Sequence, residues 1–161
     1  METRIRAPIA RIFDLARDVD VHAQTSAFTG ERIVGGRTSG LLQLGDTVVF
    51  EAVHLGLRRR LTAKIVELDP PHGFVDEMVE GPFASLRHVH EFRQEGSEVV
   101  MRDTLTWQSP LGLLGRLADF VLVHRHLRAY LTTKQTNLKA HAEREPTPFA
   151  DSSSSGPHDL G

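Results

Sequence analysis

An abrupt change of hydrophobic period at Ser109-Pro110 constrains this chain more than any other feature. Before it, apolar residues alternate in short runs separated by turn signals, the period of strands. After it, they recur at helical spacing, and no further proline occurs until Pro146. Serine is a favoured N-cap and proline suits the first helical turn, so a helix is predicted to start there. Leu113, Leu117, Phe120, Val121, His124, Leu127 and Leu131 would form its apolar stripe. Run to Ala142, it would be roughly 45–50 Å long at ~1.5 Å per residue.

The strand runs are predicted at Glu31–Val34 (weak), Thr47–His54, Arg58–Leu68, Gly73–Glu80, Phe83–Arg93 and Glu98–Gln108. They are punctuated by Gly35-Gly36, Gly56, Asp69-Pro70-Pro71, Gly81-Pro82 and Gln94-Glu95-Gly96-Ser97. Such spacing indicates an antiparallel meander. At the front, Thr3–Ala7 alternates as a short strand. Pro8 opens an amphipathic helix carrying Ile9, Ile12, Phe13 and Ala16, Asp18-Val19-Asp20 breaks it, and a second short helix covers Val21–Thr25. The fold class is therefore α+β: a curved antiparallel sheet of six or seven strands around a long C-terminal helix, with two short helices after the first strand. The domain is expected to span 1–142. The remainder, 143–161, with Pro146, Pro148 and Ser152–Ser155, reads as a disordered tail.

Composition narrows the functional classes. Nineteen Lys+Arg against 21 Asp+Glu give a net charge of −2, with no basic excess to attract nucleic acid. The chain has no cysteine, which excludes thiolate metal sites, disulfides and thiol nucleophiles. The most apolar stretch, Leu111–Val123, carries Arg116 and Asp119 and falls short of the ~20 apolar residues of a membrane span. The first residues lack the apolar core of a secretory signal. A cytoplasmic protein with no integral membrane segment is expected. No nucleotide-binding glycine motif, nucleophile elbow or His-Glu-x-x-His occurs.

The segment Phe74-x-Asp76-x-Met78-x-x-Gly81-Pro82-Phe83, followed by His88-x-His90-x-Phe92, Asp103, Trp107 and Pro110-Leu111-Gly112-x-x-Gly115-Arg116, resembles a bacterial branch of the START-like SRPBCC superfamily. The superfamily includes polyketide cyclase/dehydrase-like proteins, and the branch is often labelled cell-division-inhibitor-like. The resemblance covers about Arg4 to Leu138 and implies the helix-grip fold. Its members include lipid carriers, quinone-binding proteins, cyclases and co-chaperones. A sheet curled around a helix leaves an internal cavity unless large side chains fill it, and aromatic content is only 6%. The branch has an aromatic residue two positions before the first histidine; Leu86 stands there in this chain.

Strand alternation puts Leu86, His88, His90 and Phe92 on one face, with Arg87, Val89, Glu91 and Arg93 opposite. Val99, Met101, Asp103, Leu105 and Trp107 share the apolar face of the next strand, and Phe74, Asp76 and Met78 that of the preceding one. A turn through Glu95-Gly96 would set His90 across from Met101 and His88 across from Asp103. Asp76 would approach His88 around Gly81-Pro82. Burial lowers a histidine pKa and a carboxylate partner raises it, so the net sign is open.

Asp76, His88 and Asp103 are read either as a structural network fixing register or as the polar end of a ligand pocket. The donor types also suit a metal, but strand spacing does not set metal geometry, and no metal or cofactor is expected. Candidate ligand-binding residues are Phe50, Asp76, Met78, His88, His90, Met101, Asp103, Trp107, Leu117, Val121 and His124. Trp107 and His124 are read as core before ligand contacts, His126 should face solvent, and Arg58-Arg59-Arg60 should be a solvated edge. The leading functional reading is non-catalytic binding of a small hydrophobic molecule such as a lipid, quinone or polyketide. An alternative is a cyclase or dehydratase using His88 or His90, oriented by Asp103, as general acid/base. Another is a protein-interaction module with a vestigial pocket.

Overall fold

The structure is a computed structural model that describes residues 1–54, 57–109 and 123–144. Its elements run β1 (Glu2–Ile5), α1 (Ile9–Ala16), α2 (Val19–Thr25), a short 3-10 turn (Ala27–Thr29), β2 (Arg32–Gly36), β3 (Thr47–His54), β4 (Leu57–Asp69), β5 (Gly73–Glu80), β6 (Ser85–Glu95), β7 (Glu98–Gln108) and α3 (His124–Ala142). All seven strands form one antiparallel sheet in the order β1-β7-β6-β5-β4-β3-β2. The meander is thus β2 to β7, and the first strand is added beside the last. This is the α+β helix-grip architecture expected from the sequence. The predicted helix start at Pro110, with Leu117 and Val121, lies outside the described residues, as does the expected tail beyond Arg144.

The short helices form where the sequence signals them. Pro8 precedes α1, whose Ile12 and Phe13 are buried. Asp18, expected to break the chain, is the N-cap of α2: its carboxylate accepts from the backbone N–H groups of Asp20 and Val21 at 2.8 and 3.1 Å. The helix therefore begins at Val19, two residues earlier than predicted.

The core lies at one end of the sheet. Ile5, Ile12, Phe13, Ile65, Phe74, Phe92, Val99, Met101, Leu138 and Ala142 form one cluster. The Phe13 ring meets Phe74 and Phe92 edge-on, with centroids 6.1 and 5.9 Å apart. On α3 the buried residues are Leu131, Gln135, Leu138 and Ala142, spaced by four, three and four, so one stripe faces the sheet.

Three expectations need correction. The β6–β7 hairpin closes on the pair Glu95 and Glu98, with Gly96 in the left-handed region at φ 62°. The tight turn is Gly96-Ser97, so every partner moves by two: His90 faces Asp103, Phe92 faces Met101 and His88 faces Leu105. A slip of two keeps each side chain on its face, so the inward set survives the changed register. His124, placed on the buried stripe, is exposed; it opens α3 beside the half-buried Trp107, ring centroids 6.0 Å apart. The Arg58–Arg60 run is not at a sheet edge, because β4 lies between β3 and β5. Arg58 and Arg60 project from the solvated face and pair with Glu51 at 2.9 and 2.8 Å.

Candidate functional site

Alternation along β5, β6 and β7 delivers Asp76, His88, His90 and Asp103 to one patch of the inner sheet face. Two cross-strand rows build it. His90 lies between Phe74 and Asp103, and His88 lies between Asp76 and Leu105. The imidazoles are in contact, centroids 3.9 Å apart, and Phe74 stacks on His90 at 4.1 Å.

Both histidines are bracketed by the same two carboxylates. His90 Nε2 hydrogen-bonds Asp76 Oδ1 at 3.1 Å, and its Nδ1 is 2.8 Å from Asp103 Oδ1. His88 repeats the arrangement more loosely: Nδ1 is 3.9 Å from Asp76 Oδ1, and Nε2 is 3.7 Å from Asp103 Oδ1. His88 Nε2 and Asp103 Oδ1 are buried without a partner in hydrogen-bonding geometry. Asp103 is the most enclosed, its side chain 6% exposed, and Asp76 the most open at 19%.

The two imidazoles are driven in opposite directions. Burial pushes His88 down to about 3, helped by the charge of His90 and only partly offset by the carboxylates. Burial also acts on His90, but the adjacent Asp103 and Asp76 outweigh it and raise the ring to about 9. Burial would raise Asp103, yet the His90 charge and contact hold its carboxyl well below the usual range. Asp76 is likewise lowered, because His90 and His88 overcome its desolvation.

Gln135 completes the cluster and escaped the sequence reading. Its Nε2 donates to Asp103 Oδ2 at 2.6 Å, and its Oε1 accepts from the Thr3 hydroxyl at 2.6 Å. The signal was present: Gln135 is four residues after Leu131 and three before Leu138, a polar residue inside an apolar stripe. A second unanticipated group ties α2 to α3. Lys134 Nζ donates to His22 Nδ1 at 3.0 Å, and His22 Nε2 pairs with Glu31 at 2.8 Å. Burial and the Lys134 charge together lower the His22 pKa.

The other predicted site residues are dispersed. Phe50 stacks on His22 at 4.6 Å and lines a small cleft with Ile33, Leu42 and Val48. Met101 belongs to the apolar core, 1% exposed. Met78 is half-buried on β5, and Trp107 is at the far end of β7.

No family model matches the chain, and no curated protein matches it. Solved structures do. TTHA0849 from Thermus thermophilus is 20% identical with a TM-score of 0.70, over 88% of this chain and 94% of that one. The KanY protein is 17% identical with a TM-score of 0.70, over 89% and 95%. The ginseng major latex-like protein 151 from Panax ginseng is 15% identical with a TM-score of 0.60, again over 89% and 95%. These likenesses show that the chain shares the fold of those structures, the helix-grip arrangement of a curved antiparallel sheet and a long C-terminal helix. Among the described residues, no helix is long and apolar enough to cross a membrane.

Proposed function

We propose that this protein binds a small hydrophobic molecule, of lipid, quinone or polyketide type, between the inner sheet face and the long helix, without transforming it. The Asp76–His88–His90–Asp103 group would anchor the polar end of that molecule. One observation carries the reading: on the inner sheet face, His88 Nε2 is buried without a hydrogen-bond partner, and Asp103 Oδ1, though 2.8 Å from His90 Nδ1, is out of hydrogen-bonding geometry. Buried polar groups are normally satisfied, and an external partner is one way to satisfy such atoms. The helix-grip fold supports the same reading, because it wraps a sheet around a helix and can enclose a pocket lined by both.

Acid–base catalysis by these histidines has less support. Such catalysis works best with a group titrating near the operating pH, and His88 and His90 lie well to either side of neutrality.

Native mass spectrometry of the full chain, purified gently from its own host, tests the proposal. A co-purifying hydrophobic molecule that His88→Leu releases is the expected result. A chain that never carries such a molecule, and that fails to bind an apolar fluorescent probe displaceable by fatty acid or quinone, overturns it.

A further inference from the structure

We propose that Asp76, His88 and His90 form a site for one divalent transition-metal cation of the zinc type, with Asp103 and Gln135 orienting the two imidazoles from behind. This goes beyond the binding of a hydrophobic molecule and does not depend on it. It also departs from the expectation of no metal, which lacked the three-dimensional placement of the donors.

The donor set is the first support. Each of the three residues offers one ligand atom, and these atoms lie within 4.8 Å of one another. Two imidazoles and a carboxylate are a common ligand set for zinc and its neighbours. Around a four-coordinate ion with bonds of about 2.0–2.2 Å, donor atoms are roughly 3.3–3.6 Å apart. The His90 Nε2–Asp76 Oδ1 and His88 Nδ1–Asp76 Oδ1 separations, 3.1 and 3.9 Å, fall on either side of that value. Small side-chain rotations would bring both to it.

The groups behind the donors are the second support. A metal-bound histidine usually donates its remaining ring N–H to a carboxylate, which fixes tautomer and ring orientation. Here both histidines direct one nitrogen at Asp76 and the other at the single carboxylate Asp103, at 2.8 Å from His90 and 3.7 Å from His88. Asp103 is itself held by the Gln135 amide. The same arrangement accounts for the two unpartnered atoms. His88 Nε2 and Asp103 Oδ1 face each other across a gap that a slight turn of the His88 ring toward a metal would close.

Charge is the third. Two carboxylates whose side chains are only 6% and 19% exposed need positive charge nearby. A divalent ion that takes the place of the His90 proton offsets both. Asp76 is the most exposed of the four residues, so the ion's remaining coordination position would lie on its side.

The test uses the full chain, stripped with chelator and titrated with Zn²⁺ by calorimetry and with Co²⁺ by visible absorption. One equivalent should bind, with the intense Co²⁺ bands of a four-coordinate site. Asp76→Asn and His88→Gln should each weaken binding by tenfold or more, and Asp103→Asn by about 10–100-fold. Combined His72→Ala and His126→Ala on the exposed surface should change nothing. Absence of saturable binding overturns the proposal. So does binding that survives Asp76→Asn and His88→Gln but disappears in the surface variant. Should the buried variants fail to fold, ¹⁵N spectra of the wild-type histidine rings decide. Shifts of the His88 and His90 nitrogens on adding Zn²⁺ support the site, and unmoved signals overturn it.

Discussion

The inner faces of β5, β6 and β7 carry two neighbouring regions made from the same strands and opposite in character. At one end Phe92 faces Met101, and Val99 faces Ile5, roofed by Phe13 and Leu138. One cross-strand row further on, Phe74, His90 and Asp103 stand side by side, and the next row holds Asp76 and His88. The change from hydrocarbon to ionisable groups takes place within the ~6.6–6.8 Å that separates same-face neighbours along a strand. The β6–β7 register runs unbroken through both regions, so the difference lies chiefly in side chains. The apolar end needs nothing from outside to be stable. The polar end contains orphaned atoms and a histidine held neutral by burial, which is not how a region selected only for stability is built.

That contrast predicts a gradient of mutational cost. The largest loss is expected from Phe13→Ala, because the ring is 2% exposed and meets two other phenylalanines edge-on. Truncating a buried Phe costs about 3–5 kcal/mol, readable by chemical denaturation. Asp103→Ala comes next. It removes the carboxylate beside His90 and leaves the Gln135 amide without its acceptor, and breaking one side of a buried ion pair costs about 3 kcal/mol or more. If Asp103→Ala proved harmless, the two ends would differ in composition but not in coupling to the fold.

A smaller loss is expected from Gln135→Leu. The substitution fits the apolar stripe of α3 but removes one hydrogen bond to Asp103 and one from Thr3. Leaving a buried acceptor short of a donor costs roughly 1–3 kcal/mol. Thermal unfolding of Gln135→Leu beside Gln135→Glu sharpens the comparison, since a second carboxylate against Asp103 should be the worse of the two. A Gln135→Leu protein as stable as wild type would show that the polar end does not use α3 for support.

The apolar end was legible in the sequence, and the polar end only in part. Ile9, Ile12, Phe13 and Ala16 state their face through period 3.6, and Phe74, Phe92 and Met101 state theirs through period 2. The same alternation put Asp76, His88, His90 and Asp103 on the inner face. Which histidine meets which aspartate depended on the Gly96-Ser97 turn, because moving a hairpin's turn by one residue shifts every cross-strand partner by two without altering a single face. Periodicity is blind to such a shift. Gln135 was missed because a polar residue at a stripe position looks like the end of the stripe until Asp103 is found opposite it. The Lys134–His22–Glu31 contact joins α3, α2 and the segment before β2, and no local pattern encodes a meeting so distant in sequence. The direction of each imidazole's titration was open for a related reason. It depends on counting carboxylates within a few ångströms, and His90 has two close by where His88 has two at arm's length.

The smallest stability effect, and the sharpest division between the two ends, is expected from His88→Leu. His88 is 8% exposed, makes no hydrogen bond through Nε2 and sits beyond hydrogen-bonding reach of both carboxylates. Leucine is similar in bulk and carries no polar atom to desolvate. Replacing a buried, unsatisfied polar group by an apolar one of similar shape is close to neutral or favourable. The melting temperature should therefore stay level or rise, while binding of metal and of an apolar ligand falls. Stability surrendered at one position for the sake of what binds there is the usual sign of a functional site. Were His88→Leu instead to destabilise the fold as much as Asp103→Ala does, His88 would be a structural member of the network. The two ends of the sheet would then differ only in the chemistry by which they hold the same fold.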